Sequence, residues 1–406
     1  MKRKQITRRE FLRTSLSLAG GAAAGSWMMS RSLAQAEQQS LARIFEPTMV
    51  NGLMLKNRLV RSATWEGMGD PEGRVTEQLI DLHRRLADGG VGLAITGYMY
   101  IRSDGRLAPF SAGADRDDLL EGLGRLTDAV RARGGKIVAQ ICHAGGQSNR
   151  EASGGVQAVA PSAILSPGYT ELPRELSEGE IEEMISAFAA AAGRVKAAGF
   201  DGVQLHGAHG YLISQFLSPL RNQRTDRYGG GLENRSRFAL NAYRAVRAEV
   251  GPSYPVLFKL NAHDGFEGST TERDAAYLAS ALAQAGIDAI EVSSGSRADR
   301  NSVLRREILS WRDEAYNLPP AKRIRHEAPE VPLMLVGGLR SLERMWGILH
   351  CGDVDYFSLS RPLIRQPDLP GRWAGGDRAR SSCISCNGCF MAAVKGEGIH
   401  CVQPGA

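Results

Sequence analysis

The chain has 406 residues, with 50 Lys and Arg against 44 Asp and Glu and 43% hydrophobic residues. Such a composition can bury a core, which excludes a disordered or collagen-like chain, and the length admits one large barrel or two smaller domains. The net charge of +6 resides in residues 1–36, where seven basic side chains face one acid; the remaining 43 basic and 43 acidic residues cancel, so no basic groove for nucleic acid is expected.

Residues 1–36 have the three-part layout of an export signal. A basic stretch from Lys2 to Arg9 precedes a weakly apolar run rich in Ala, Gly and Ser, and Ala34-Gln35-Ala36 supplies small residues for cleavage. Within it, Thr7-Arg8-Arg9-Glu10-Phe11-Leu12 matches the twin-arginine pattern. The run is too short and Gly-rich for a membrane span, which needs about 20 apolar residues. The expected mature protein therefore starts near Glu37, in the periplasm, with no stable membrane span. The twin-arginine route carries folded proteins, typically ones loaded with a cofactor, so a cofactor enzyme is the leading class.

Along the mature chain, short apolar runs alternate with amphipathic segments. Strands are predicted at 58–62, 92–96, 136–141, 202–205, 256–260, 289–292, 333–336 and 356–360. Helical patterns fall at 76–87, 119–133, 178–198, 232–250, 271–285 and 342–350. Eight βα units predict an α/β protein, a (β/α)8 TIM barrel spanning 37–372, followed by a short Cys-rich extension over 373–406. A doubly wound open sheet is the alternative, but no G-x-G-x-x-G follows an early strand.

Barrel chemistry sits on the loops after the strands. The residues there are Ala63-Thr64-Trp65, Gly97-Tyr98, His143, His206 with His209, Asn261, Ser293-Ser294, Gly337-Gly338 and Arg361, a set suited to a flat polar cofactor bearing a phosphate. His206, His209 and Tyr211 follow the fourth strand closely enough to share the barrel mouth. Two neutral imidazoles can donate to one oxygen and polarise a carbonyl, and a phenol can supply a proton. Backbone-satisfied histidines are the plainer reading, and the HExxH spacing of a zinc site is absent. His143 and His263 also lie near strand ends, with a weaker case for touching a ligand.

These runs resemble the old yellow enzyme family of FMN oxidoreductases. Phe45-Glu-Pro, Asn51-Gly, Lys56-Asn57-Arg58 and Arg61-Ser62-Ala63-Thr64 are similar to its N-terminal signature. His206–Tyr211 (HGAHGY), Gln215-Phe-Leu-Ser-Pro and Arg224-Thr-Asp-Arg-Tyr-Gly-Gly are similar to its substrate loop, and Ser360-Arg361-Pro to its phosphate segment. The resemblance runs from about Phe45 to Leu369. It implies that Ala63, Thr64, Trp65 and Gly97 line the flavin, that Gln140 bonds its pyrimidine, and that Lys259 faces N1 and O2. A structural salt bridge is the other reading of Lys259. It further implies that Gly337, Gly338, Ser360 and Arg361 hold the phosphate, that His206 and His209 anchor substrate, and that Tyr211 donates the proton. Trp65 stands where well-studied members carry Thr or Cys, so it is expected to fill part of the substrate pocket.

Cys383, Cys386, Cys389 and Cys401 have the spacing of an iron-sulfur segment. Structural zinc, empty thiols and disulfides are the competing readings. The spacing also resembles the branch containing dienoyl-CoA reductase and trimethylamine dehydrogenase, which implies a [4Fe-4S] cluster after the barrel. Cys142 and Cys351 are expected to be buried single thiols. Members of that branch continue into a nicotinamide-binding half, whereas this sequence ends at Ala406, and NADH and NADPH are not expected in the periplasm. NAD(P)H is therefore doubtful as donor, and an external electron-transfer partner is expected beside the small-molecule substrate. The expected activity is reduction of an activated alkene or enone. A dehydrogenase passing electrons outward and a flavin-bearing electron carrier are the alternatives.

Overall fold

The computed structural model describes residues 42–148, 150–296 and 303–405. The segment 1–36, with its twin-arginine motif, lies outside the described residues. A short hairpin, β1 (Thr48–Val50) and β2 (Leu53–Leu55), precedes the barrel strands. The barrel contains β3 (Leu59–Arg61), β4 (Leu93–Tyr100), β5 (Ile137–Cys142), β8 (Gly202–Gly207), β9 (Val256–Asn261), β10 (Ala289–Ser293), β11 (Leu333–Val336) and β12 (Tyr356–Leu359). A minor pair, β6 (Val159–Ala160) and β7 (Arg174–Glu175), lies in the β5–β8 connection. The eight barrel strands are parallel in chain order, and β12 pairs with β3 to close the ring. This is the expected (β/α)8 fold.

Each predicted strand is a run of apolar residues because a parallel barrel strand is covered on both faces, by helices outside and core inside. The hairpin closes the lower end: Val50 and Leu55 pack with Val60, Leu93, Val138, Leu257, Ala289, Met334 and Tyr356 in one buried cluster. The helices begin at side-chain caps. Thr76 accepts from the Leu79 N–H, and Ser177 with Glu180 and Thr271 with Asp274 form reciprocal capping boxes. The helix Leu318–Glu327 has prolines in its first turn, which is permitted because the amides they lack have no intrahelical partner. That Pro pair reads as a break in the sequence, and the helix is absent from the predicted set.

The chain from Ile44 to Ala406, with the Cys-rich extension, is one compact unit. One expectation needs correction. Cys351 is exposed at the C-terminal cap of the helix Leu342–His350, whereas Cys142 is buried as expected. The second strand also runs four residues beyond its predicted end, and its pairing with β5 shifts register between Ile95 and Tyr98. Gly97 sits at this irregularity. A Cβ there would lie 2.0 Å from Glu66 Oε2 and 2.8 Å from the Thr64 carbonyl oxygen, so the strand turns where only glycine fits.

Candidate active site

Polar residues line the upper half of the barrel interior. Lys259 on β9 and Glu291 on β10 are register partners, both almost fully buried, with Nζ 3.0 Å from Oε2. Lys259 also donates to Ser62 Oγ at 2.9 Å, and Ser62 donates to Glu291 Oε1 at 2.6 Å. Gln204 Nε2 donates to Glu291 Oε2 at 3.0 Å and Gln140 Nε2 donates to Gln204 Oε1 at 2.7 Å. Burial pushes the Glu291 carboxyl up, but the Lys259 ammonium and these hydrogen bonds outweigh it and leave the group below its usual range. Lys259 is thus held in a buried salt bridge, the other reading of this residue. Sequence reasoning missed Glu291 and Gln204, which read as strand residues until the register aligns them.

His206 ends β8 beside Lys259. Its Nδ1 accepts the Ala208 N–H at 3.3 Å, so the neutral ring carries its proton on Nε2. His209 has a left-handed φ of 62° and its Nε2 lies 2.8 Å from Ser293 Oγ. The two rings are 5.1 Å apart at 84°, and Tyr211 packs against His206 at 4.8 Å and 90°. Burial, followed by the Lys259 charge, lowers His209 to about 3; burial and then the neighbouring His209 and Lys259 lower His206 as well. Both imidazoles are therefore neutral hydrogen-bonding groups near pH 7.

The turn carrying this pair is held from behind. Gln147 Nε2 donates to the His209 and Gly210 carbonyls at 3.0 and 2.6 Å, and Gln215 Nε2 and Arg221 also donate to the Gly210 oxygen. A Cβ on Gly210 would meet Gln147, Ser296 and Arg221, with Gln147 Nε2 only 2.6 Å away. Gln147 and Arg221 carry no motif of their own and were not foreseen. His143 is buried just past the end of β5, where its ring bonds Asp104 at 3.1 Å and accepts the Gly145 N–H, which pins two loops together. His263 is half-buried, and its carbonyl accepts from Asn261 Nδ2.

Trp65 and Tyr211 pack against the buried cluster of Tyr98, Leu107, Cys142 and Ala144, and the indole N–H donates to Ser111 Oγ at 3.1 Å. Its ring meets Phe390 edge-on at 6.2 Å, which joins the site wall to the C-terminal segment. Beneath it, Glu66 is buried, accepts the Gly97 N–H at 2.7 Å, and is raised to about 7 by burial. His83 Nε2 lies 3.9 Å from Glu66, but burial lowers His83 to about 4, so the contact is not an ion pair near neutral pH. The Thr64 hydroxyl is 2.7 Å from Ser360 Oγ and also accepts from Arg61.

The four C-terminal cysteines line one small cavity together with Arg361 and Arg365. The Gly388 N–H and Gln403 Nε2 donate to Cys386 Sγ at 3.4 and 3.5 Å, and Arg365 donates to Cys401 Sγ at 3.4 Å. Ser385 and Asn387 adopt left-handed φ of 56° and 63° between these cysteines. Burial raises the Cys389 thiol to about 11. No group of three or more His, Cys, Asp or Glu among the described residues is gathered to hold a single metal ion. The Arg361 guanidinium is engaged here as well, donating to the Arg305 carbonyl at 2.7 Å and to Asn387 Oδ1 at 2.6 Å. It ties the segment to the barrel.

The barrel mouth fits a flavin mononucleotide on two observations. Asn261 Oδ1 on β9 and Ser358 Oγ on β12 are buried without a partner. Lys259 and Gln140 supply a cation and an amide, as the pyrimidine end of a flavin requires. The sequence matches the NADH:flavin oxidoreductase / NADH oxidase family over residues 43–378.

The chain belongs to this family. It is 36% identical over 367 residues to a metal reductase of Desulforamulus reducens, covering 88% of this chain and 53% of that one. It therefore spans about half the length of that relative. A solved 2-naphthoyl-CoA reductase superposes with a TM-score of 0.83 at 28% identity, covering 90% of this chain and 57% of the other. An old yellow enzyme homologue from Zymomonas mobilis superposes with a TM-score of 0.72 at 27% identity, covering 84% and 95%. The family is that of the old yellow enzyme-like flavin oxidoreductases.

Proposed function

We propose that the enzyme uses FMN to reduce an activated C=C bond conjugated to a carbonyl in a small molecule. The observation that carries this reading is the neutral His206–His209 pair beside Tyr211 at the end of β8. FMN, when bound, supplies a hydride equivalent at N5. The imidazole N–H groups hold the carbonyl oxygen as negative charge gathers on it, and their neutrality lets them donate without the strong pH dependence of an imidazolium. Tyr211 gives the proton to the carbon that does not receive the hydride. Gln140, Lys259, Ala63, Thr64, Trp65 and Gly97 would hold the ring, and the backbone of Gly337, Gly338, Ser360 and Arg361 the phosphate.

In the same proposal Cys383, Cys386, Cys389 and Cys401 hold a [4Fe-4S] cluster. Their shared cavity and the N–H groups aimed at Cys386 support this, because a cube spreads its thiolates whereas zinc draws them to one point. When bound, the cluster supplies one-electron exchange with a partner. The twin-arginine motif supports export to the periplasm, and scarcity of nicotinamide there supports an external carrier over NADH or NADPH. Outward electron flow from an oxidised substrate, or simple electron carriage, is the other outcome.

Anaerobic purification followed by absorption spectroscopy and iron and sulfide analysis tests the cofactors. Colourless protein overturns the whole reading, and flavin without iron overturns the cluster. Turnover of an enone with an artificial donor, lost in His206→Ala with His209→Ala, supports the reductase. Flavin that exchanges electrons but turns over no enone supports the carrier.

A further inference from the structure

Lys259 can stabilise negative charge on a ligand only to the extent that its own charge is not already cancelled. In the barrel it is cancelled: Glu291 is fully buried, lies 3.0 Å away on the neighbouring strand, and is fixed by Ser62 and Gln204. An ionised carboxylate accepts hydrogen bonds and donates none. Its oxygen Oε2 therefore obliges Gln204 to turn its amide nitrogen inward, which leaves the Gln204 carbonyl to face Gln140. Gln140 must then donate, as it does at 2.7 Å. One amide hydrogen of Gln140 is consumed, and its carbonyl oxygen and second hydrogen are what it has to offer a ligand. The orientation of a side chain on β5 is thus dictated by a carboxylate on β10, through one intermediate on β8.

We propose that Glu291 is a positioning residue for the flavin, attenuating the charge of Lys259 and fixing the amide polarity of Gln140 through Gln204. The inference rests on FMN occupying the barrel mouth. A plain structural role would leave the redox equilibrium of the bound ring unmoved. A field effect would move it, because reduction adds negative charge to the ring system and a freed ammonium stabilises that charge.

The test uses the full chain loaded with FMN. Failure of the unsubstituted protein to bind FMN overturns the flavin reading itself and is seen before any variant is compared. In Glu291→Gln the ion pair is lost while an amide can still accept from Gln204. The expected result is a two-electron reduction equilibrium shifted at least tenfold toward the reduced state, a rise of about 30 mV. In Lys259→Met the buried Glu291 carboxyl has lost its counter-ion and is held neutral by burial, so there the same Glu291→Gln change should move the potential by less than threefold. An unchanged or lowered potential in the single variant, or an equal shift in both backgrounds, overturns the charge argument. Gln204→Leu keeps the ion pair and breaks the amide chain. Its expected effect is at least a tenfold loss of FMN affinity with the potential shifted less than threefold, and unchanged affinity overturns the amide argument. Should Glu291→Gln fail to fold, the Lys259→Met background, which lacks the buried ammonium, and the Gln204→Leu variant still decide.

Discussion

His206 and His209 present their rings at 84° to one another, 5.1 Å apart, with one next to the end of a barrel strand and the other held in a left-handed conformation. Neither ring is charged near neutral pH, and in the proposed function both give a hydrogen bond to one substrate oxygen. An oxygen that gains negative charge can be met by both. Single substitutions, His206→Ala or His209→Ala, are expected to keep one donor each. Loss of one such donor is worth about 10²–10³ in kcat. Steady-state kinetics with an enone should therefore show a graded loss, largest in the double alanine variant, and equal rates in all variants would refute the assignment.

Tyr211 should separate binding from chemistry. Its phenol is needed for proton delivery, so Tyr211→Phe is expected to lower kcat by about 10²-fold or more while leaving KM near the native value. A raised KM at constant kcat would instead make the residue a binding contact.

Stability should have opposed pH limbs. His83 and His209 are lowered by burial to about 4 and about 3 from the ordinary 6.5, and His206 moves the same way. Protons below that ordinary value bind the unfolded chain first, so this contribution is complete above about pH 6.5 and falls toward pH 4. Glu66 is raised by burial from 4.5 to about 7, so its contribution is complete below pH 4.5 and is lost as pH rises through 7. Glu66→Gln should flatten the alkaline limb, by up to roughly 3 kcal/mol, and leave the acid limb in place. Urea unfolding midpoints between pH 5 and 8.5 measure this, and parallel curves for the two proteins would contradict it.

Two glycines should respond oppositely to alanine. Gly97→Ala places a methyl against Glu66 Oε2, and overpacking of this kind destabilises by about 1–3 kcal/mol. Gly124 lies inside the helix Leu120–Arg131 with open space around it, so Gly124→Ala should stabilise by roughly 0.5–1 kcal/mol. Thermal melts of the two variants should move in opposite directions.

The cysteine segment should lose its iron without loss of the barrel. Cys386→Ser removes the sulfur that accepts from both Gly388 and Gln403. Iron and sulfide are expected to fall together in the anaerobically purified variant, with far-UV circular dichroism and flavin absorbance retained. Native iron content in the variant would count against the ligand assignment.

The barrel was legible because its evidence is local. Eight runs such as 256–260 and 333–336 are apolar on both faces, and strong caps at Ser177 and Thr271 mark helix starts without reference to the rest of the chain. His206, His209 and Tyr211 were equally legible, since their spacing alone puts them at one strand end. The identity of Lys259 as a barrel cation was visible too, but its partner was not. Glu291 is 32 residues away, and only the β9–β10 register sets the two side by side. The same holds for Gln204 against Gln140, for Gln147 and Arg221 behind the His209 turn, and for Arg361, whose guanidinium faces Asn387. Hydrophobic periodicity and capping are properties of a short stretch of chain, so the sequence determined them. Pairing of buried polar groups is a property of distances between strands and loops, and tertiary structure alone decided which of them meet.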